Sequence, residues 1–410
     1  MAKKKILIIG GGMAGMVATI LLAKEGLKVT LFERNDKIGK KILATGNGRC
    51  NLTNANIKPS NYHSSTKNIF QDIFCQFDLE KTLNFLNDLG LETVKLESGK
   101  IYPQSMQAMS VVKALLFYAN ELGVEIIYNS RVKEIFHKDK FCIKADKKSF
   151  YGEYLVITTG GKSYASSGSS GDGYILAKSL GHSITQQMPS IVQLVTDNPY
   201  NKSLKGLRVD VEAKLINQKS GNLIRKEYGE ILFTDYGISG PVTLQLSTMV
   251  APLLKNGTIL DVSVNFFPNF SFDNLDEVLI KRLTKFPLRT IEESLNGFIN
   301  QRLIIPLLKY ADVEHLKKAG NITKQERARL ISAFKNYTFS VKDTYTWDQA
   351  QVTKGGVSCN EIYENTLESK LIKNLYFAGE ILDIDGDCGG YNLQWAISSG
   401  AVVAYSILNS

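Results

Sequence analysis

No run of eighteen or more apolar residues occurs in the 410-residue chain, which excludes the usual signature of a membrane-spanning helix. Cysteine is scarce. Cys50, Cys75, Cys142, Cys359 and Cys388 form no C-x-x-C pair and no metal-like spacing with the four histidines. That pattern excludes a disulfide framework or zinc ribbon, and leads us to expect reduced thiols, a cytoplasmic protein and no metal site. His63, His137, His182 and His315 are scattered, and each is read as structural or surface. No Ser-His-Asp grouping, internal repeat or low-complexity tract is present. The basic start, Met1 to Lys5, is followed by an apolar run, Ile6 to Ile9, far too short for a signal peptide; it reads as a first strand.

What is present is ordinary globular material, 44% hydrophobic and 22% charged, in a chain long enough for two or three domains. Forty-nine Lys and Arg against 40 Asp and Glu leave a formal charge of +9. That balance fits a polyanionic partner such as RNA or simply a solvated, lysine-rich surface, and no RNA-binding fold motif is visible.

The strongest local signal lies at the start. Lys5–Ile9 is a short β-rich run, Gly10, Gly12 and Gly15 fit G-x-G-x-x-G, and Met16 to Leu27 has helical periodicity. A second strand, Lys28 to Phe32, ends in Glu33, eighteen residues after Gly15. Gly10 permits the tight turn, Gly12 lets backbone N–H groups reach a pyrophosphate, and Gly15 lets helix and strand pack closely. The helix N-terminus offsets phosphate charge, and Glu33 stands where a carboxylate accepts hydrogen bonds from an adenosine ribose. In register, these parts predict a dinucleotide site. The following loop, Gly39 to Asn54, mixes glycine, asparagine and basic residues and cannot be regular throughout; Lys41 and Arg49 could wrap further phosphate or a flavin ring there.

Farther on, Val132–Phe136, Phe141–Ala145 and Ser149–Tyr151 read as an antiparallel excursion, and Tyr154–Thr158 as a buried strand stopping at Thr159-Gly160-Gly161. Near the C-terminus, Leu375–Ala378 forms another apolar run ending at Gly379-Glu380, and Gly389-Gly390-Tyr391-Asn392 opens a helix. No other strand is followed by G-x-G-x-x-G. If NAD(P)H acts as reductant, it docks without a second nucleotide-binding module.

The motifs GGGMAG (10–15), GKKILATGNGRCNLTN (39–54), TTGGKSY (158–164), GSSGDGY (168–174), GISGP (237–241), VTKGGV (352–357) and AGEILDIDGDCGGYNLQWAISSG (378–400) run over nearly the whole length. With them the chain resembles the YhiN/BaiN-type FAD-binding flavoproteins, relatives of the glutathione-reductase-like two-dinucleotide-binding group. The resemblance implies an α/β protein: a Rossmann-like FAD-binding domain of glutathione-reductase type, with a parallel sheet and an antiparallel flap, carrying an inserted β-barrel plus helical substrate domain that covers the flavin. The expected boundaries are 1–189 for the first part of the FAD domain, 190–270 for the barrel-like part, 271–340 for the helical part and 341–410 for the return.

The implied cofactor is FAD. Gly10, Gly12, Met13, Ala14 and Gly15 would face the pyrophosphate, with Glu33 and Arg34 at the adenosine ribose and the backbone of Val132 at the adenine. Thr159 and Gly160 would line the ADP end, while Lys41 and Gly46, Asn47, Gly48 and Arg49 would approach the flavin. Gly379 and Glu380 would hold the ribityl-phosphate region, and Gly390, Asn392, Leu393 and Gln394 the isoalloxazine. Glu380 stands where the broader group often has Asp. The loop before the last helix offers Asp383, Asp385, Asp387 and Cys388 as acid–base candidates or as ordinary Asx turns with a small thiol. A Cys50–Cys388 redox pair is a further reading.

The implied activity is FAD-dependent oxidoreduction at a C=C or C–N bond. Three options follow: NAD(P)H-dependent reduction of a conjugated double bond, in a small molecule or a uracil of ribosomal RNA; an aminoacetone-type amine oxidase using O2; or a flavin-carrying RNA-binding protein without turnover.

Overall fold

The structure, a computed structural model, describes residues 4–146 and 148–410; the first three residues of the basic start lie outside them. The chain divides into two compact units, Met1–Pro189 with Trp347–Ser410, and Ser190–Thr346.

The first unit is built on a five-stranded parallel sheet. Its strands are β1 (Lys5–Ile9), β2 (Lys28–Phe32), β3 (Glu125–Ile127), β4 (Tyr154–Ile157) and β5 (Leu375–Phe377), in the spatial order β5-β4-β1-β2-β3. The central strands are buried along most of their length, which explains why they read as continuous apolar runs and not as alternations. Helix α1 (Met13–Lys24) crosses from β1 to β2 and is buried almost all round. It packs against the C-terminal helix α2 (Tyr391–Leu408) at very short range: a Cβ on Gly400 would lie 2.4 Å from the carbonyl oxygen of Ala14. The glycine loop and the C-terminal segment, nearly four hundred residues apart, therefore share one packing seam.

The expected antiparallel excursion is present as a three-stranded sheet of Val132–His137, Phe141–Ala145 and Lys148–Gly152. Helices at Phe70–Gln76, Leu79–Asp88 and Ala108–Glu121 belong to the same unit.

The second unit is a closed six-stranded antiparallel barrel with helices. Around the barrel run Leu194–Thr196, Gly237–Ser239, Leu223–Phe233, Arg208–Asn217, Leu260–Asn265 and Tyr337–Thr344. Pro241 opens a fifteen-residue helix, where its fixed φ and missing N–H cost nothing. Further helices include Phe272–Lys285, Gln301–Tyr310 and Lys324–Lys335. The expected return at 341 falls inside the last barrel strand. Tyr337, Phe339 and Val341 face inward and pair with Val264, Val262 and Leu260, and Thr344 closes the barrel on Leu194, so the division lies after Thr346. No helix among the described residues is long and apolar enough to cross a membrane.

Candidate functional site

The glycine loop between β1 and α1 is shaped by contacts that exclude side chains. Gly10 has φ +109°, and a Cβ there would lie 2.5 Å from the carbonyl oxygen of Thr158. A Cβ on Gly15 would lie 2.0 Å from the carbonyl oxygen of Gly10 and 2.6 Å from Thr158 Oγ1. Gly12 differs: a Cβ there would meet nothing within 4 Å. Helix α1 begins after Gly12 with no side-chain cap and no acid in its first turn, so the N–H groups around Met13, Ala14 and Gly15 present a positive end to that open space.

Glu33 is buried beside this loop. One carboxylate oxygen accepts the Gly11 N–H at 2.9 Å, and the other accepts the backbone and side-chain N–H groups of Asn35 at 2.8 and 2.7 Å. The segment preceding Val132 lies alongside, with Ser130 N–H donating to the Glu33 carbonyl. Thr159 and Gly160 follow β4 next to Gly10, and the buried hydroxyl of Thr159 has no protein partner. Gly379, at φ +79°, comes against the start of α1, its would-be Cβ 3.0 Å from that of Ala14; its N–H donates to Ser399 Oγ and its carbonyl accepts from Trp395 Nε1. Residues from four stretches of sequence thus converge on one sheet edge.

Several expected contacts are already engaged by the protein. Lys41 Nζ pairs with Glu380 Oε2 at 2.6 Å and donates to Ser163 Oγ at 2.9 Å. The other Glu380 oxygen accepts from Ser163 Oγ at 3.0 Å and Thr353 N–H at 2.8 Å. Thr353 Oγ1 in turn accepts the N–H groups of Lys162 and Ser163. Lys41, expected to approach the flavin, and Glu380, expected at the ribityl-phosphate region, belong to one network joining four motifs. Arg34 likewise donates to Asp172, Ser170 and the Gly168 carbonyl.

The loop before α2 shows the same commitment. The Asn392 side chain accepts the Gly386 N–H and donates to the carbonyls of Gly386 and Asp387, stapling the loop. Gln394 is fully buried, accepting from Thr53 Oγ1 and donating to Thr82 and Ser398. The side chains of Asn392 and Gln394 are therefore taken up within the protein. Gly390 caps the helix at φ +98°, its would-be Cβ 2.5 Å from the Thr53 carbonyl oxygen, and the first turn of α2 carries no acid.

Asp383 and Asp385 are fully buried, which removes them from direct contact with a substrate. Asp383 Oδ2 accepts from the Ser64, Ser65 and Thr66 hydroxyls and the Ser65 N–H. Asp385 pairs with Lys354 at 2.7 Å. Burial pushes its carboxyl above the usual carboxylate range, and the Lys354 charge only partly offsets it. Asp387 accepts from His63 Nε2 at 3.0 Å and from Asn61. Lys354, Ser163 and Thr353 carried no individual signal in the sequence, and His63 was expected to be structural or surface. The strands that bring His63 opposite Asp385, Tyr62–His63 and Asp385–Gly386, are two residues each and too short for periodicity to reveal.

Gly46, Asn47 and Gly48 are consecutive left-handed residues (φ 57°, 55° and 81°), forming a sharp turn rather than a strand or helix. Arg49 donates back to the Gly46 carbonyl and lies over the Tyr102 ring. Nearby Asn51 has a buried side-chain oxygen without a protein partner. Neither Cys50 nor Cys388 takes part in a disulfide. Burial pushes the Cys50 thiol up to about 12, which disfavours the thiolate that redox exchange needs.

The open space at Gly12, the uncapped positive end of α1 and the buried carboxylate of Glu33 together fit the ADP half of FAD. Fold and site define an FAD-dependent oxidoreductase of the Rossmann type. More narrowly, the chain belongs to the HI0933-like protein Rossmann domain family, whose profile matches residues 4–406. It is 38% identical over 400 residues to the 3-dehydro-bile acid delta(4,6)-reductase of Clostridium scindens, covering 97% of each chain. It is 29% identical over 409 residues to the ribosomal RNA dihydrouridine synthase of Haemophilus influenzae, covering 98% of each. Among solved structures, the 3-ketosteroid delta1-dehydrogenase of Sterolibacterium denitrificans shares the fold across the full length of both chains, with a TM-score of 0.53 at 11% identity.

Proposed function

We propose that this chain reduces a carbon–carbon double bond conjugated to a carbonyl in a small molecule, with NAD(P)H as reductant. The observation that carries the reading is the 38% identity, over 97% of both chains, to a delta(4,6)-reductase. Bound FAD supplies hydride chemistry. The backbone of Gly10, Gly12, Met13, Ala14 and Gly15 holds the pyrophosphate, Glu33 the ribose, Val132 the adenine, and Thr159 and Gly160 the remaining ADP edge. Gly379 serves the ribityl end, and the backbone of Gly46 to Arg49 and of Gly390 to Gln394 serves the ring system. Arg34, Lys41 and Glu380 act through their protein partners and hold these segments in place. The uncapped start of α2 would favour negative charge on a ring system held there. His63, partly exposed and held by Asp387, carries the proton that the reduced carbon takes up. Five cysteines outside any disulfide suit a cytoplasmic setting.

A second reading, reduction of a uracil in ribosomal RNA, is favoured by the 29% relative and by the charge of +9. Anaerobic NADH or NADPH is expected to bleach the flavin, and a conjugated dienone steroid to restore its colour. Restoration by a ribosomal RNA fragment alone moves the assignment to the second reading. Colour regained only with O2 and peroxide release, after reduction by an amine, makes the protein an oxidase. Flavin that neither nicotinamide nor an amine can bleach leaves a binding protein without turnover.

A further inference from the structure

Asp172 opens the helix Asp172–Ser179 and is the meeting point of two arginines from different parts of the chain. Arg131 binds it in a fork, Nε to Oδ2 and Nη2 to Oδ1, both at 2.8 Å. Arg34 Nη1 reaches Oδ2 at 2.9 Å and also donates to Ser170 Oγ and to the Gly168 carbonyl. Ser170 Oγ donates to Asp172 Oδ1 at 2.9 Å. Burial alone would raise this carboxyl, but hydrogen bonds from Arg131 and Ser170 and the charge of Arg34 outweigh it and hold it below the usual range.

The loop leading to Asp172 is tied at further points. Asn35 Nδ2, which also donates to Glu33, donates to the Ser167 carbonyl at 3.0 Å. Gly171 N–H donates to the Gly161 carbonyl, and a Cβ on Gly160 would lie 2.7 Å from Ser169 Oγ. Gly168 touches Asn35 so closely that a Cβ would lie 2.4 Å from Nδ2. The loop 167–172 therefore bridges three segments: the one carrying Glu33, the one preceding Val132, and the one carrying Thr159 and Gly160. Both arginines hold Asp172 and so fasten the loop.

We propose that Ser167–Asp172 is a clasp over the adenosine end of the cofactor site, locked by Asp172 between Arg34 and Arg131, and that its opening limits the rate at which FAD leaves. Asp172 is a positioning residue here: it touches the loop's anchors and not the cofactor. The inference rests on the placement of the adenosine beside Glu33.

The test follows FAD release from the loaded full-length protein, by flavin fluorescence after dilution into cofactor-free buffer. D172N and R131Q should each release FAD at least fivefold faster than the parent, and D172N/R131Q no faster than D172N alone. D172E, which keeps the carboxylate, should return to within twofold, and the melting temperature of the apoprotein should stay unchanged. R131Q, at an exposed position, keeps the test open should D172N fail to fold. Release rates within twofold of the parent in the single variants overturn the clasp. Glu33→Ala separates the two failures: weakened FAD binding with unchanged D172N release sinks the clasp alone, whereas unchanged binding in Glu33→Ala removes the adenosine placement and the clasp with it.

Discussion

Replacement of Glu33 is the most direct probe of the nucleotide cradle. Its carboxylate has about four acceptor directions. Three are filled by Gly11 N–H and the two Asn35 donors, which leaves one for a ribose hydroxyl. Glu33→Ala strands a buried Gly11 N–H and releases Asn35, which also anchors the Ser167 carbonyl. Leaving a buried donor unmade costs about 1–3 kcal/mol, and hydrogen bonds to a charged group are worth about 1.5–3 kcal/mol each. Since some donors will find water, a net loss of about 2–4 kcal/mol in apoprotein stability is expected. For a unit of this size that lowers the melting temperature by roughly 5–15 °C. Loss of the ribose contact should weaken FAD binding by about 10–100-fold, or about 1.4–2.8 kcal/mol. Scanning calorimetry of the apoprotein and fluorescence titration with FAD measure the two effects separately. Glu33→Gln is the sharper control, because its amide keeps the volume but turns an NH2 toward a donor. A Glu33→Gln protein that melts with the parent and binds FAD within twofold of it would refute the reasoning.

Two glycines should behave oppositely. Gly15→Ala forces a Cβ to 2.0 Å from the Gly10 carbonyl and should cost at least about 1–3 kcal/mol, seen in the apoprotein melt, whereas Gly12→Ala should leave that melt within about 0.5 kcal/mol and still lower the FAD content of purified protein. Lys354→Met leaves buried Asp385 without its cation, and about 3–5 kcal/mol of stability should be lost near neutral pH by urea unfolding. Because burial already raises the Asp385 carboxyl, that loss should shrink as pH falls and Asp385 becomes neutral; a pH-independent loss would contradict the pairing. Glu326, hydrogen-bonded by Lys317 and capped against Thr323, has its carboxyl lowered from 4.5 to about 2. Its stabilising effect should be complete above about pH 4.5 and fade as pH falls toward 2, which carbon-detected NMR titration of its side chain can follow.

Much of the scaffold was legible because it is locally encoded. The turn at Gly10, the tight approach at Gly15 and the acid at Glu33 fall within one strand–helix–strand unit, where spacing alone sets geometry. The antiparallel flap was also visible as short apolar runs between turns, while the barrel was expected from the family resemblance. The last barrel strand was not legible: Tyr337–Thr344 follows a helical stretch in sequence, and only pairing with Leu260–Asn265 and Leu194–Thr196 reveals where it belongs.

Side-chain roles divided along the same line. The Leu375–Ala396 stretch declared a strand, a glycine turn and a helix start, and the structure forms all three. Its polar residues were harder. Asn392 turns back onto its own loop, Gln394 points into the interior toward Thr53 and Thr82, and Asp385 meets Lys354. Lys41 lies 339 residues from Glu380 in sequence yet 2.6 Å from it in space. The sequence by itself determined the nucleotide-binding frame, because backbone conformation and helix ends depend on neighbours a few residues away. Only the tertiary structure decided which polar side chains remain open to a ligand, because that depends on the distant partner that reaches each buried charge first.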